Sequence, residues 1–191
     1  MEKLKKETLE WVKALIEAII IIAVLKFVLN TPVPISTIAS GSMRPTLERG
    51  DLVFVRGLAP KDISIGRIVV YRSCQGPFII HRVVGEAISA TFPNGTSRLY
   101  VVFSEKAREE LLKELKGAKL YFYFITKGDN NPVTDFYLYQ FMDCRTLKPL
   151  PGVPQDRVVG AVIEVNGYPI KLPYLGYVAL LAFPFLWWVP R

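Results

Sequence analysis

The sequence predicts a mainly β domain that follows an N-terminal transmembrane helix, includes one soluble helix and precedes a C-terminal membrane segment. Three observations support this fold class. Residues 12–29 form an apolar run of the length that spans a bilayer. Residues 52–165 are rich in short β-branched and aromatic runs separated by turn residues. Hydrophobic residues make up 51% of the 191 residues, and the mean hydropathy of +0.28 is high for a purely soluble domain.

Charge and composition exclude several classes of protein. The formal net charge is +7, from 24 lysine and arginine residues against 17 aspartate and glutamate residues. The sequence contains no nucleic-acid-binding motif and no basic stripe interleaved with aromatic residues. Attraction to anionic lipid headgroups explains the positive charge as well. One histidine and two cysteines cannot form an all-protein zinc cluster. We therefore expect no nucleic-acid partner, no metal and no cofactor.

The first predicted element is the apolar helix at residues 12–29, which follows a polar stretch at residues 1–11. A bilayer-spanning helix needs ~17–25 mainly apolar residues, and Asn30 and Pro32 end this one. A cleaved signal peptide and a buried helix of a soluble domain are the alternatives. The apolar stretch of a signal peptide is usually shorter. We interpret residues 1–30 as a cytoplasmic N-terminus and an uncleaved membrane anchor.

The next elements are β strands. Runs rich in Val, Ile, Phe and Tyr, bounded by Gly, Pro and Asn, are typical of strands. They predict strands at residues 52–56, 68–72, 78–84, 87–92, 98–103, 120–126 and 157–165. A turn at residues 74–77 joins the second and third strands, and an Asn-Gly turn joins the fourth and fifth. The triplet Asn94-Gly95-Thr96 in that turn is also a sequon for N-glycosylation.

One soluble helix is predicted at residues 104–116. Ser104 can cap its N-terminus, and Gly117 can end it. Ala107, Leu111 and Leu115 fall on one stripe, as in an amphipathic helix.

The C-terminal stretch at residues 172–189 is apolar and close to spanning length, with aromatic residues that suit a membrane interface. A segment packed on the β domain or lying in the interface is the alternative. If both apolar segments span the bilayer, the two termini lie on the same side of the membrane. The basic residues near the termini favour the cytoplasmic side. Residues 31–171 then form an extracytoplasmic β domain of a cell-membrane protein, and residues 172–191 form the second membrane segment.

The stretch around Ser42 contains the candidate nucleophile. Residues 40–47 read Ser-Gly-Ser-Met-Arg-Pro-Thr-Leu, and Gly-Asp follows at residues 50–51. Gly41 allows the backbone to approach another chain closely, and Pro45 stiffens the loop. A polar turn between a helix and a strand is the plainer alternative.

A serine nucleophile needs a base, and His81 is the only histidine in the chain. The alternative for His81 is a residue packed within a strand face. A histidine base works best with a carboxylate that fixes its tautomer. Asp129 and Asp135, six positions apart (135 − 129), are the candidates. Either could instead be structural, because aspartate is common in turns and at helix caps.

Together these stretches resemble the motifs of type I signal peptidases, the membrane enzymes that remove secretory signal peptides. Residues 40–51 resemble the serine box, residues 80–85 the strand that holds the base, and residues 127–135 the acidic box. Histidine at the base position is typical of the archaeal and endoplasmic-reticulum branch, whereas the bacterial branch has lysine. Arg67 departs from the family, which commonly has aspartate there.

The resemblance implies a serine endopeptidase that cleaves signal peptides from preproteins after small residues. Ser42 would attack the scissile carbonyl, and His81 would transfer its proton. Asp135 would orient His81, and Asp129 would support the site. The amide of Ser42 and the hydroxyl of Ser40 would bind the oxyanion. Preprotein signal peptides and the lipid bilayer are the implied partners, with the protein translocation machinery as a further candidate.

Two features of the chain lie outside these motifs. His81 and Asp135 are 54 positions apart (135 − 81), more than the family usually shows, and we assign the excess to an inserted hairpin and helix at residues 87–117. Cys74 and Cys144 both fall in the domain placed outside, where a disulfide can form. Two separate thiols are the alternative.

Two other functions are compatible with parts of the sequence. A non-catalytic, membrane-tethered β domain could bind peptides or scaffold a secretion partner, and it would not need the candidate catalytic residues to meet. A membrane esterase is a further candidate, but the Gly-x-Ser-x-Gly elbow of the common esterase fold is absent.

Overall fold

The chain folds mainly as β structure, which confirms that part of the predicted fold class. The computed structural model describes residues 2–74, 76–137 and 140–182. Its α helices are α1 (Glu2–Val28), α2 (Glu105–Glu114) and α3 (Gly176–Ala182). The longer strands are β2 (Leu52–Arg56), β3 (Ile68–Arg72), β4 (Phe78–Thr91), β5 (Ser97–Val102), β6 (Lys119–Lys127) and β8 (Val158–Val162). The shorter strands are β1 (Ile35–Thr37), β7 (Val153–Pro154), β9 (Glu164–Val165), β10 (Tyr168–Pro169) and β11 (Lys171–Leu172).

The main sheet is antiparallel and runs in the order β1-β2-β8-β3-β4-β6-β7. In addition, β11 pairs with β2, and β5 pairs with β4. The strands β9 and β10 form a separate hairpin. Because β3 and β6 flank β4, the strand that holds His81 lies inside the sheet and its position is set from both sides.

The prediction of two strands at residues 78–84 and 87–92 is wrong, since both belong to the single 14-residue strand β4. The interruption expected at Gly85 and Glu86 is instead a shift of register against β6 between Val83 and Gly85. A Cβ at Gly85 would lie 2.6 Å from the ring of Phe103, so the glycine permits this close packing. Glu86 forms an ion pair with Arg108 inside the domain.

Two apolar clusters cover the two faces of the central strands. Alternate residues of β3 supply them, because side chains of a strand point to opposite faces. Val69 and Tyr71 enter the first cluster, whereas Ile68 and Val70 enter the second. The first also contains Phe122 and Phe124 of β6. The second contains Met43 and Leu47, so the segment around Ser42 is packed into the core.

A buried ion pair connects helix α2 to the sheet. The helix α2 begins after Ser104, whose hydroxyl accepts a hydrogen bond from the amide of Ala107 at 3.3 Å. Arg108 of α2 donates to Glu86 of β4 at 2.8 Å and to the carbonyl of Lys61 at 2.6 Å. Both charged side chains are buried, which the sequence pattern did not indicate.

The N-terminal helix α1 is exposed along most of its length. Trp11 and Phe27 are 78% and 87% exposed. After the helix, the carbonyl of Leu29 accepts a hydrogen bond from the amide of Gly57, and the hydroxyl of Thr31 donates to the carbonyl of Val159. No helix within the described residues combines the length and the apolarity needed to cross a membrane. The anchor at residues 1–30 therefore stays a prediction.

The C-terminal part packs against the β domain as far as it is described. The strand β11 pairs with β2, and the amide of Gly176 at the start of α3 donates to the carbonyl of Gly50 at 2.9 Å. The remainder of the predicted membrane segment, residues 183–191, lies outside the described residues. Cys74 and Cys144 form a disulfide with their Cα atoms 5.1 Å apart, which is one of the two arrangements that the sequence left open.

Candidate active site

Ser42 lies on the loop between β1 and β2, and this loop is held at both ends. The amide of Ile38 donates to the carbonyl of Asp51 at 2.9 Å, and the amide of Gly50 donates to the carbonyl of Ile38 at 2.8 Å. Between these bonds, Met43 and Leu47 are 1% and 0% exposed. Burial of each such side chain contributes about 2 kcal/mol. The loop therefore has a defined position relative to the sheet.

Ser42, His81 and Asp135 meet in one hydrogen-bonded row. The Oγ of Ser42 lies 3.0 Å from Nε2 of His81. The Nδ1 of His81 lies 2.8 Å and 2.7 Å from the two carboxylate oxygens of Asp135. His81 is 5% exposed and Asp135 is fully buried. Since an ionised carboxylate can only accept, Nδ1 is the donor in this bond, and Nε2 is left to accept the proton of the serine hydroxyl.

The carboxylate of Asp135 is held by two further donors. The hydroxyls of Tyr71 and Thr126 donate to its Oδ2 at 2.7 Å and 2.6 Å. Burial opposes ionisation of Asp135. Hydrogen bonding and positive charge from His81, with these two hydroxyls, outweigh that effect and hold the pKa of Asp135 below its usual range. The group is therefore suited to stabilise a protonated imidazole.

Asp129 contacts other partners. Arg82 donates to its two carboxylate oxygens at 2.8 Å and 2.7 Å, and the hydroxyl of Thr46 donates to it at 2.6 Å. Burial opposes ionisation here too, but these bonds hold the pKa of Asp129 below its usual range. Thr46 belongs to the Ser42 loop, and Arg82 is next to His81 on β4. Asp129 thus joins the segment of the candidate nucleophile to the strand of the candidate base, while Asp135 contacts the imidazole.

The turn that contains Asp129 also fits closely against Ser42. The amide of Asn130 donates to the carbonyl of Ser42 at 2.8 Å, and its side chain donates to the carbonyl of Gly41 at 3.3 Å. A Cβ on Gly128 would lie 2.7 Å from the carbonyl oxygen of Ser42 and 2.9 Å from Nε2 of His81. Only glycine allows the turn to come this close.

Ser40 lies beside the candidate nucleophile, with its Oγ 3.1 Å from the Oγ of Ser42. Lys171 of β11 supports the same loop from the other side. Its ammonium donates to the carbonyl of Thr46 at 3.1 Å and pairs with the buried Asp51 at 2.8 Å. The C-terminal strand therefore helps to position the loop.

Sequence reasoning missed several residues that shape the site: Thr46, Tyr71, Arg82, Thr126 and Lys171. Tyr71 gave no polar signal because it is itself one of the core residues of β3. Arg82 and Thr46 lie within the motifs and could have been proposed as ion-pair or hydrogen-bond partners of the acidic box. Lys171, at the chain's far end, had no local signal at all.

The described residues contain no group of three or more His, Cys, Asp and Glu side chains arranged to hold a metal ion. The row of hydroxyl, imidazole and carboxylate is the arrangement that activates a serine for attack on a carbonyl carbon. Such an arrangement can carry out acyl transfer, with the imidazole as the general base and then the general acid.

Comparison with known proteins gives a consistent family for this geometry. The family described as "Signal peptidase, peptidase S26" matches residues 8–178. The signal peptidase complex catalytic subunit SEC11 of Schizophyllum commune is 36% identical over 163 residues, which cover 80% of this chain and 76% of the relative. The corresponding protein of Arthroderma otae is 34% identical over 155 residues, covering 80% and 68%. That of Coccidioides posadasii is 34% identical over 161 residues, covering 80% and 70%.

Proposed function

The chain belongs to the signal peptidase family, peptidase S26, and on this premise we propose that it cleaves signal peptides from preproteins by a Ser-His-Asp mechanism. Family membership makes the chain a signal peptidase enzyme. The roles of individual residues are our proposal. The observation that supports them most directly is the distance of 3.0 Å between the Ser42 hydroxyl and an imidazole that is itself bonded to Asp135 at 2.7 Å.

In the proposed mechanism, Ser42 attacks the carbonyl carbon of the scissile peptide bond while His81 removes the hydroxyl proton. Asp135 stabilises the imidazolium that forms. His81 then gives the proton to the leaving amine, and the new N-terminus departs from an acyl-enzyme. Water, activated by the same imidazole, hydrolyses this ester and regenerates the serine.

The negative charge of the tetrahedral intermediate needs hydrogen-bond donors. We assign this role to the amide of Ser42 and the hydroxyl of Ser40, whose oxygen is 3.1 Å from the nucleophile. Removal of one such donor typically costs about 3–4 kcal/mol of transition-state stabilisation. The hydroxyl group of Ser40 can rotate about its Cβ–Oγ bond, so it can donate its hydrogen bond to the oxyanion instead of to Ser42.

The substrate would bind in an extended form beside a strand edge. Within the described sheet, β1 pairs with β2 alone, so its other edge has no strand partner next to the Ser42 loop. Ile38 and Met43 are packed in the core beneath this edge, at 4% and 1% exposure. We propose that they line the shallow pockets that select small side chains before the cut.

The site is proposed to work at a membrane surface. The exposed apolar side chains of α1, such as those of Trp11, Ile19 and Phe27, support contact of this helix with lipid. The disulfide supports placement of residues 31–171 in an oxidising, extracytoplasmic compartment. Thirteen positions separate Leu29 from Ser42 (42 − 29), so the nucleophile cannot lie far from the end of α1.

The close approach of the three groups favours catalysis over a non-catalytic peptide-binding domain, which would not require it. Replacement of Ser42, His81 or Asp135 by Ala should lower preprotein cleavage by at least about 10³-fold, because each removes one part of the same unit. The assay uses the purified full-length chain in detergent, one preprotein substrate and circular dichroism to verify folding.

Ser97→Ala is the matched control, since Ser97 is exposed and lies on β5, outside the site. It should retain the activity of the unaltered chain. Robust cleavage by the Ser42→Ala variant would overturn the assignment of the nucleophile.

A further inference from the structure

The turn between β4 and β5 has chemical features that the active site does not use. The amide of Gly95 donates to the carbonyl of Phe92 at 2.9 Å, and the amide of Phe92 donates to the carbonyl of Thr96 at the same distance. Gly95 has a φ of +83°, as expected for the last residue of a three-residue hairpin loop. Asn94, Gly95 and Thr96 are all exposed.

The side chain of Asn94 is arranged by Thr96. Its Oδ1 accepts hydrogen bonds from the amide of Thr96 at 3.0 Å and from the hydroxyl of Thr96 at 2.7 Å. The amide nitrogen Nδ2 has no hydrogen-bond partner in the part of the chain that the structure describes. Donation to Oδ1 polarises the carboxamide, and the triplet is the only Asn-x-Ser/Thr in the 191 residues.

We propose that Asn94 is an N-glycosylation site whose sugar donor is a polyprenyl-phosphate- or pyrophosphate-linked oligosaccharide. This inference rests on the extracytoplasmic placement of the β domain in the proposed function, because such transfer takes place on that side of the membrane. Nδ2 of Asn94 forms a bond to the anomeric carbon of the first sugar. The bond from that carbon to the phosphate oxygen breaks, the lipid phosphate leaves with the electron pair, and Nδ2 loses one proton to the transferase.

The position of the turn keeps a glycan away from the active site. His81 lies near the start of β4, and the turn follows the strand's end at Thr91, ten residues later. At about 3.3 Å per residue, the turn lies roughly 30 Å along the strand from the imidazole. The glycan would instead lie beside β5, whose outward side chains Leu99 and Val101 are 54% and 49% exposed. A bulky polar group there hinders edge-to-edge association of strands.

The chain offers a second Asn-Gly turn for the test. The hairpin of β9 and β10 turns through Asn-Gly in a different conformation, with φ of 52° at Asn166 and 80° at Gly167. Tyr168 occupies the position that corresponds to Thr96 and is 77% exposed. The substitution Tyr168→Thr therefore gives a second exposed turn of the same domain a complete sequon.

The experiment translates the full-length chain in the presence of microsomes that contain an active oligosaccharyltransferase. A secreted acceptor protein in the same reaction verifies the transferase. The readout is a gel-mobility shift that peptide N-glycosidase F removes. The unaltered chain should gain one glycan, Asn94→Gln and Thr96→Val should gain none, and Thr96→Ser should retain modification because it keeps the hydroxyl. The single variant Tyr168→Thr should gain two.

The outcomes separate the site from the placement of the domain. If Asn94→Gln combined with Tyr168→Thr is modified but the unaltered chain is not, the proposal for Asn94 is overturned and the extracytoplasmic placement stands. If no variant is modified while the acceptor protein is, both the site and that placement are overturned. Cleavage of preprotein by the detergent-purified chain tests the catalytic proposal independently of either result.

Discussion

At the scale of single residues, the hydroxyl of Tyr71 shows how a core position can serve the active site. Tyr71 is fully buried, and the guanidinium of Arg157 lies 5.8 Å from its ring centroid. Burial and the neighbouring charge of Asp135 raise the pKa of Tyr71, so its hydroxyl stays protonated and donates to that carboxylate. In the proposed mechanism, Tyr71 would contact no reacting atom and would act by positioning Asp135.

Replacement of Tyr71 by Phe should lower kcat about 10-fold with little change in KM. The variant retains the ring in the core but removes one hydrogen bond to a charged group, which is worth about 1.5–3 kcal/mol. Steady-state kinetics on a preprotein or peptide substrate would measure both constants. Tyr123→Phe, on β6, is the matched control, and equal kcat values for the two variants would show that the Tyr71 hydroxyl has no positioning role.

Asp129 should make part of the stability dependent on pH. Its pKa in the folded chain lies below the ordinary value of about 3.9, so the ionised form stabilises the fold above that pH. This contribution should be complete near pH 6 and should decrease as the pH falls below about 4. This contribution is measured by comparing the free energy of unfolding in urea of the unaltered chain and of Asp129→Asn between pH 3 and pH 7.

The difference in unfolding free energy between the two proteins should shrink towards acid pH, because a protonated aspartate cannot pair with Arg82. A difference that stays constant across the range would contradict an ionised, paired Asp129.

At the scale of elements, helix α2 forms a buried ion pair with β4 through Arg108 and Glu86. Glu86 is fully buried, and its Oε1 has no hydrogen-bond partner among the described residues. Burial raises the pKa of Glu86 to about 7, although Arg108 opposes that shift. The attachment of α2 is therefore sensitive to the loss of either charge.

Arg108→Leu should lower the free energy of unfolding by about 3–5 kcal/mol, because it leaves the carboxylate of Glu86 buried without a counter-ion. The double variant Glu86→Leu/Arg108→Leu should recover most of this loss, since no unpaired charge remains. Lys106→Leu, at an exposed position of the same helix, is the control and should change stability little. Similar losses for Arg108→Leu and Lys106→Leu in urea denaturation would contradict the ion-pair argument.

At the scale of the whole molecule, the disulfide connects the turn after β3 to the segment that follows the acidic box. Cys74 and Cys144 enclose 70 positions of sequence. Arg157 binds the same region, donating to the carbonyls of Gln140 and Met142 at 2.8 Å and 3.2 Å. The disulfide and the hydrogen bonds of Arg157 hold residues 140–144 close to Tyr71. Tyr71 in turn contacts Asp135, the carboxylate of the candidate site.

Cys74→Ser/Cys144→Ser should lower the free energy of unfolding by about 4 kcal/mol, because a cross-link over a loop of this length restricts the unfolded chain. Urea unfolding with and without a reducing agent measures the effect. The double variant should be insensitive to reductant, whereas the unaltered chain should lose stability in it. Equal stability of the two proteins under oxidising conditions would show that the bond contributes nothing.

Local sequence patterns predicted best those strands and helices whose apolar residues recur without interruption. The predicted strands at residues 52–56 and 68–72 have the observed bounds of β2 and β3, and the predicted helix at residues 104–116 differs from α2 by one or two residues at each end. The prediction failed at Gly85 and Glu86, because a charged residue beside glycine is typical of a turn. The partner that neutralises Glu86 is 22 positions away, beyond the reach of any local pattern.

The sequence by itself determined the class of fold, the candidate nucleophile Ser42 and, since there is one histidine, the candidate base His81. The tertiary structure decided that Asp135 rather than Asp129 contacts the imidazole, that Cys74 meets Cys144, and that Tyr71 donates to the carboxylate. These are a covalent bond and hydrogen bonds between atoms that belong to separate strands and loops. Motif order cannot determine them, because such contacts depend on the register of the sheet and on how the loops pack against it.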